Sequence, residues 1–310
     1  MATKKAASTK KATAKKPAAA KTTVRTVRAE AKPEAAPVVR TAVTSSKSGA
    51  KLPSNIVNIV LAELVGTFVL TLVALATFTD SGALYVGLAL AVLVFAVGAV
   101  SGTHINPAVT FGLWATRKLK SILVPFYWGA QLLGAMLALI VTNWVSDSST
   151  NLSFNHFWSF NWGIFACELV GAAVFLFGLT AVLSRRELSA GARAIGVGLT
   201  LTIGLVAGGS LLSTLKAQDV AAYQKDSQSS QTDKSAKAPD VPYSAYVKGI
   251  TANPAIALAT TNHSDSELGV STTDSTTYSY FTSSVILGTL IGAALGGNLY
   301  LLIAGRNKND

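Results

Sequence analysis

Apolar residues gather in six runs, near 55–79, 83–103, 121–145, 160–184, 192–213 and 281–304. Each reaches the roughly 20 residues that an α-helix needs to cross a bilayer, so the pattern predicts six transmembrane helices. Two more apolar segments, about 107–115 and 254–261, are too short to cross and read as re-entrant half-helices. Both open on one tripeptide, Asn106-Pro107-Ala108 and Asn253-Pro254-Ala255. Proline suits the first turn of a helix, where a missing N–H is harmless, and asparagine before it suits the N-cap. A helix start at membrane depth is tolerated only where its irregular backbone is packed in protein or lines a wet cavity. Two such starts predict a pore, to which the helix ends present positive dipoles and the two asparagines present N–H donors.

The halves of the chain repeat each other. Glu63-Leu64-Val65-Gly66 in the first run returns as Glu168-Leu169-Val170-Gly171 in the fourth, and Gly87-Leu88-Ala89-Leu90 is echoed by Gly198-Leu199-Thr200-Leu201. With three spans per half, the second copy enters from the opposite side, which makes an inverted repeat with its site near the midplane. The fold class expected is an all-α membrane protein of six transmembrane helices and two re-entrant half-helices. A carboxylate facing lipid is costly, so Glu63 and Glu168 are expected inside, accepting N–H donors from the neighbouring half-helix loops. The competing role, ion transport, wants an ionisable group that changes partners, and equivalent repeat positions suit scaffolding better.

Composition adds a second object to this picture. The chain is 50% hydrophobic and 13% charged with net charge +11, but residues 1–51 hold 13 Lys and Arg against Glu30 and Glu34, which accounts for the whole excess. Mean hydropathy is +0.44. The basic segment lacks apolar periodicity and an apolar signal-peptide core, and it reads as a disordered tail. Contact with anionic lipid is the expected use; nucleic-acid contact through phosphates and a transit peptide are the alternatives. The chain thus divides into a tail (1–53), a channel domain (54–305) and a short C-terminal segment (306–310). Within the domain, 214–249 is expected to be a polar extracellular loop. Cys167 stands alone in an apolar run and reads as a small buried hydrophobe.

Loops holding Arg117, Lys118 and Lys120, and Arg185, Arg186 and Arg193, are basic, as is the end with Arg306 and Lys308, whereas the loop around Asp147 has no Lys or Arg. The positive-inside rule then puts both termini in the cytoplasm of a plasma or inner membrane. Asn151-Leu152-Ser153 and Asn262-His263-Ser264 fit the glycosylation pattern on the opposite side, a match that chance supplies readily.

The run Ser101-Gly102-Thr103-His104-Ile105-Asn106-Pro107-Ala108-Val109-Thr110 resembles the first signature of the aquaporin (major intrinsic protein) family. Glu63 to Phe68, Tyr127 to Ala135, Ala194-Ile195-Gly196 and Gly296 to Tyr300 are similar to it as well, so the likeness covers about 55–305. The resemblance implies a homotetramer in a lipid bilayer, one pore per subunit, passing water or small neutral solutes without a cofactor or catalytic cycle. It also implies that Asn106 and Asn253 are the central donors, and that Gly102, Thr103 and His104 line the cytoplasmic half of the path.

The chain departs from the family where an arginine usually follows the second tripeptide: Ile256 stands there. Counting from the motifs puts the other filter positions at Val86, Ile203 and Ile250, so the expected filter is wholly aliphatic. Such a ring offers passing water fewer partners and sets one less charge against cations. It either resists water or admits larger, less polar solutes. A lysine such as Lys248 either stays solvated or folds over the mouth in place of the missing charge. Two function classes follow, a passive channel and a nonconducting scaffold or adhesion protein of the same fold. An ion-coupled transporter is disfavoured, because the span interiors hold no acidic or basic residues beyond the two symmetric glutamates.

Overall fold

The computed structural model describes residues 51–77, 82–147, 154, 156–232, 239–269 and 279–305. The basic tail up to residue 50, the Asn151 tripeptide, Arg306 and Lys308 lie outside them.

The first half contributes α1 (Ile56–Ala76), α2 (Gly82–Ser101), the half-helix α3 (Pro107–Ala115) and α4 (Val124–Ser146), the last led in by a short 3-10 turn. The second contributes α5 (Trp162–Ser184), α6 (Ala190–Thr232), a one-turn α7 (Tyr243–Tyr246), the half-helix α8 (Pro254–Ala259) and α9 (Ser283–Ala304). Six of these helices are long and apolar enough to cross a membrane. They are apolar on all sides, as lipid requires, with Leu61, Val65, Val92, Phe95 and Ile140 on outward faces.

Without a hydrophobic force between helices in lipid, close backbone approach holds the bundle together, and glycine supplies it. A Cβ at Gly134 of α4 would stand 2.4 Å from the Leu64 carbonyl oxygen of α1, and one at Gly292 of α9 would stand 2.2 Å from that of Leu169 in α5. The two contacts are repeat equivalents. The halves meet where α2 crosses α6: a Cβ at Gly198 would stand 2.3 Å from the carbonyl oxygen of Gly87. The echoed Gly87 and Gly198 motifs are therefore the two sides of one contact. Each half-helix packs on the other half, α3 against α9 and α8 against α4.

One expectation fails in this part of the fold. The segment from 214 is not a loop at its start: α6 runs 43 residues to Thr232. At 1.5 Å per residue that is about 65 Å, roughly twice the hydrocarbon thickness. No Gly or Pro interrupts residues 210–232. Once the membrane span has nucleated the helix, each added residue gains a hydrogen bond without a new nucleation cost. The Ser244 hydroxyl donates to the Asp219 carboxylate at 2.5 Å, tying α7 to the extension. Near the same end of the bundle, Trp144, Trp158 and Trp162 are exposed, as in an interfacial aromatic belt.

Candidate functional site

The two half-helices start head to head. Asn106 has extended backbone (φ −160°, ψ 120°) and its Oδ1 accepts from the Ala108 N–H at 2.8 Å. Asn253 does the same for Ala255 at 3.0 Å. With the oxygens committed to capping, the amide nitrogens face outward. Asn106 Nδ2 donates to the carbonyl of Ala252 at 2.8 Å, and Asn253 Nδ2 donates to that of Ile105 at 3.2 Å. Each asparagine thus caps its own half-helix and clasps the opposite loop.

Those carbonyls are aimed by backbone in the left-handed region: φ is 39° at Ile105 and 47° at Ala252. A β-branched residue rarely adopts such a φ, so the surroundings must hold it. Glu63 and Glu168 do so, both wholly buried. Glu63 accepts from the N–H groups of His104 at 2.9 Å and Ile105 at 2.6 Å, and from Gln131 Nε2 at 2.8 Å. Glu168 accepts from the N–H groups of Thr251 and Ala252, each at 2.8 Å, and from the Tyr280 hydroxyl at 2.8 Å. A carboxylate is acceptor-only and offers several lone pairs, which these donors fill. The two glutamates pin loops.

Gln131 and Tyr280 complete these clusters, yet sequence reasoning gave neither a role. Gln131 sits in a recognisable stretch of α4, and its polarity in an apolar span was the available signal. Tyr280 carried none, since it precedes α9 in a polar segment and reaches Glu168 only through the tertiary fold. His104 is buried, with Nδ1 3.1 Å from the Thr110 hydroxyl and its ring centroid 4.3 Å from that of Tyr127. The Trp128 indole donates to the Pro107 carbonyl at 3.1 Å.

Two cavities follow one another along α2 and α6. The larger, about 420 Å³, is lined by Val86, Leu205, Lys216, Lys248, Ile250 and Ile256 among others. The smaller, about 30 Å³, is lined by Gly102, Thr103 and His104 together with Leu90, Leu179 and Val197. Residues 82–86 of α2 face the first and residues 90–94 the second, with the paired asparagine loops at the level between them.

Of the four aliphatic positions expected around a filter, Val86, Ile250 and Ile256 come together at the larger cavity. Ile203 does not. It is 57% exposed, whereas Val197, Leu201, Leu205 and Leu212 of the same helix are buried. That spacing of four and seven marks the inner face of α6, and Ile203 lies about half a turn away from it. The position passes to Leu205 and Gly209, which line the cavity. Counting from the motifs misplaced it because the membrane part of α6 is apolar all round, so the sequence does not show which of its aliphatic side chains face inward.

Known proteins place this arrangement. The profile of the family described as major intrinsic protein matches residues 77–218. Aquaporin Z of Photorhabdus laumondii is 34% identical over 167 residues, 46% of this chain and 72% of the relative. Aquaporin NIP2-3 of Zea mays is 31% identical over 183 residues, 54% of this chain and 61% of the relative. The lens fiber major intrinsic protein of Oryctolagus cuniculus is 37% identical over 131 residues, 39% and 48% of the two chains. In fold, the chain is similar to the solved aquaglyceroporin of Plasmodium falciparum, with a TM-score of 0.51 at 20% identity over 79% of this chain and 95% of that one. Head-to-head half-helices inside six spans, together with these relatives, make the chain a member of the major intrinsic protein family, the aquaporins, and so a multi-pass passive membrane channel rather than an enzyme.

Proposed function

We propose that water or small neutral solutes pass between the two cavities by way of Asn106 and Asn253. The observation that carries this reading is the crossed pairing of their amides. Each Nδ2 has two hydrogens and spends one on the opposite loop, at 2.8 Å and 3.2 Å, leaving one for a molecule in the path. Each Oδ1 is turned back to accept from its own half-helix, so the amide nitrogens are the groups that meet a water at that level, which accepts from them and turns its own hydrogens away. Pro107, Ala108, Pro254 and Ala255 hold the two donors in register, and Gly102, Thr103 and His104 line the further half.

Val86, Ile250 and Ile256, with Leu205, line the larger cavity together, which supports an aliphatic constriction there. An aliphatic ring cannot replace a lost hydration shell, so it favours solutes that are small and weakly hydrated over ions. The basic loops on one side support cytoplasmic termini, the outward apolar faces support placement in the bilayer, and membership of the family supports a homotetramer.

Stopped-flow light scattering on proteoliposomes tests the reading. Fast shrinkage at low activation energy establishes water conduction, and slow water with fast glycerol or urea entry establishes a less polar cargo. No flux of any solute above empty vesicles overturns the channel path and favours the nonconducting scaffold.

A further inference from the structure

Among its described lining residues the larger cavity holds two lysines that neutral conduction does not use. Lys216, on the inner side of the α6 extension, and Lys248, just before the second loop, both line it. Among the described residues lining it there is no Asp or Glu, while Thr77, Ser210, Ser213 and Thr251 add hydroxyls. Neither lysine makes a hydrogen bond or ion pair with a described residue. Two described carboxylates of neighbouring segments have other partners: that of Asp219 accepts from Ser244 at 2.5 Å, and that of Glu267 accepts from the Ser264 N–H at 2.7 Å. Glu267 does feel the charge of Lys248 but is exposed and does not line the cavity.

We propose that this mouth is a binding site for a small oxyanion, sulfate- or phosphate-like, held between Lys216 and Lys248 with hydroxyl donors around it. An anion in a space lined by two half-buried lysines gains an attraction to each ammonium group and hydrogen bonds from the hydroxyls around it. Space is sufficient: about 420 Å³ corresponds to about 14 waters at roughly 30 Å³ each, enough for an oxyanion with part of its hydration shell. The anion goes no further. Val86, Ile250 and Ile256 offer no donor to replace its water, so the aliphatic ring stops it and an occupied mouth is a blocked one. The consequence for flux rests on the channel reading above; the binding itself does not.

Two readouts separate these. Thermal unfolding of the purified full chain in detergent is followed against sodium sulfate, with sodium chloride at matched ionic strength as reference. The midpoint is expected to rise with sulfate and saturate, to lose this response in K216Q/K248Q, and to keep it in K225Q, which alters an exposed lysine further along α6. If the double variant does not fold, K216Q and K248Q singly are each expected to weaken the response. An equal rise in wild type and lysine variants is a general salt effect on exposed surface and overturns the site, as does no rise. In proteoliposomes, external sulfate at its half-saturating concentration is expected to cut wild-type flux of a neutral solute by about two-fold, and to leave K216Q/K248Q unaffected. A saturable, lysine-dependent sulfate response in a protein with no neutral flux sinks the channel reading and leaves the site standing. Lysine-dependent sulfate binding that does not slow an existing flux overturns the blocking role.

Discussion

Glu63 and Glu168 do at the residue scale what the left-handed backbone beside them requires. Each accepts two consecutive loop N–H groups, at 2.9 and 2.6 Å for Glu63 and at 2.8 Å twice for Glu168. In Glu63→Gln, one acceptor becomes an NH₂ facing N–H donors, which leaves a buried clash of donors worth about 1–3 kcal/mol. The variant is expected to unfold at lower temperature than wild type when tryptophan fluorescence is followed on heating. A variant with unchanged stability and lost flux would instead make Glu63 a transport group. At the proposed constriction, Ile256→Arg puts a long cationic side chain into a cavity lined by Val86 and Ile250. Glycerol entry into proteoliposomes is expected to fall more than water permeability. Unchanged uptake of both would place the constriction elsewhere. Local chemistry made Asn106 and Asn253 readable as caps, because the N-cap preference acts over three residues. The amide bonds to Ala252 and Ile105 were not readable, since they join residues nearly 150 positions apart.

Elements in this fold touch through glycine, and the contacts differ in tolerance. A Cβ at Gly198 would meet the Gly87 carbonyl oxygen at 2.3 Å and the Ala91 Cβ at 2.8 Å, whereas one at Gly129 would meet nothing within 4 Å. Gly198→Leu is expected to abolish the monodisperse peak on size-exclusion chromatography, by prising α2 from α6. Gly129→Ala is expected to leave it intact and to gain up to about 1 kcal/mol from lower backbone entropy in the unfolded chain. Equal behaviour of the two variants would mean that the α2–α6 crossing is looser than the contact implies. Element lengths show the limit of reading by hydropathy. The start of α3 matched because proline marks it; the end of α6 did not, because residues 214–232 are mostly polar and no apolar period announces a helix that is simply continued. Ile203 was misplaced for the related reason that a helix apolar all round hides which side faces inward.

Topology is the claim that belongs to the whole molecule. Both termini are expected in the cytoplasm, with Arg185 and Arg186 on that side and the α6 extension on the other. In a Cys167→Ser background, Ser189→Cys and Ser266→Cys introduce single exposed thiols. In intact cells, a membrane-impermeant maleimide is expected to label the second and not the first, and the reverse pattern would invert the protein. The sequence alone determined the class, six spans, two half-helices and an inverted repeat, since membrane length, proline and N-cap preferences and duplicated motifs are local quantities written along the chain. Tertiary structure alone decided which aliphatic side chains share a cavity, that Gln131 and Tyr280 join the glutamates, and that Lys216 and Lys248 face one space. Those facts depend on distances between helices, and in lipid such distances are set by backbone approach at glycines rather than by any pattern of apolar residues.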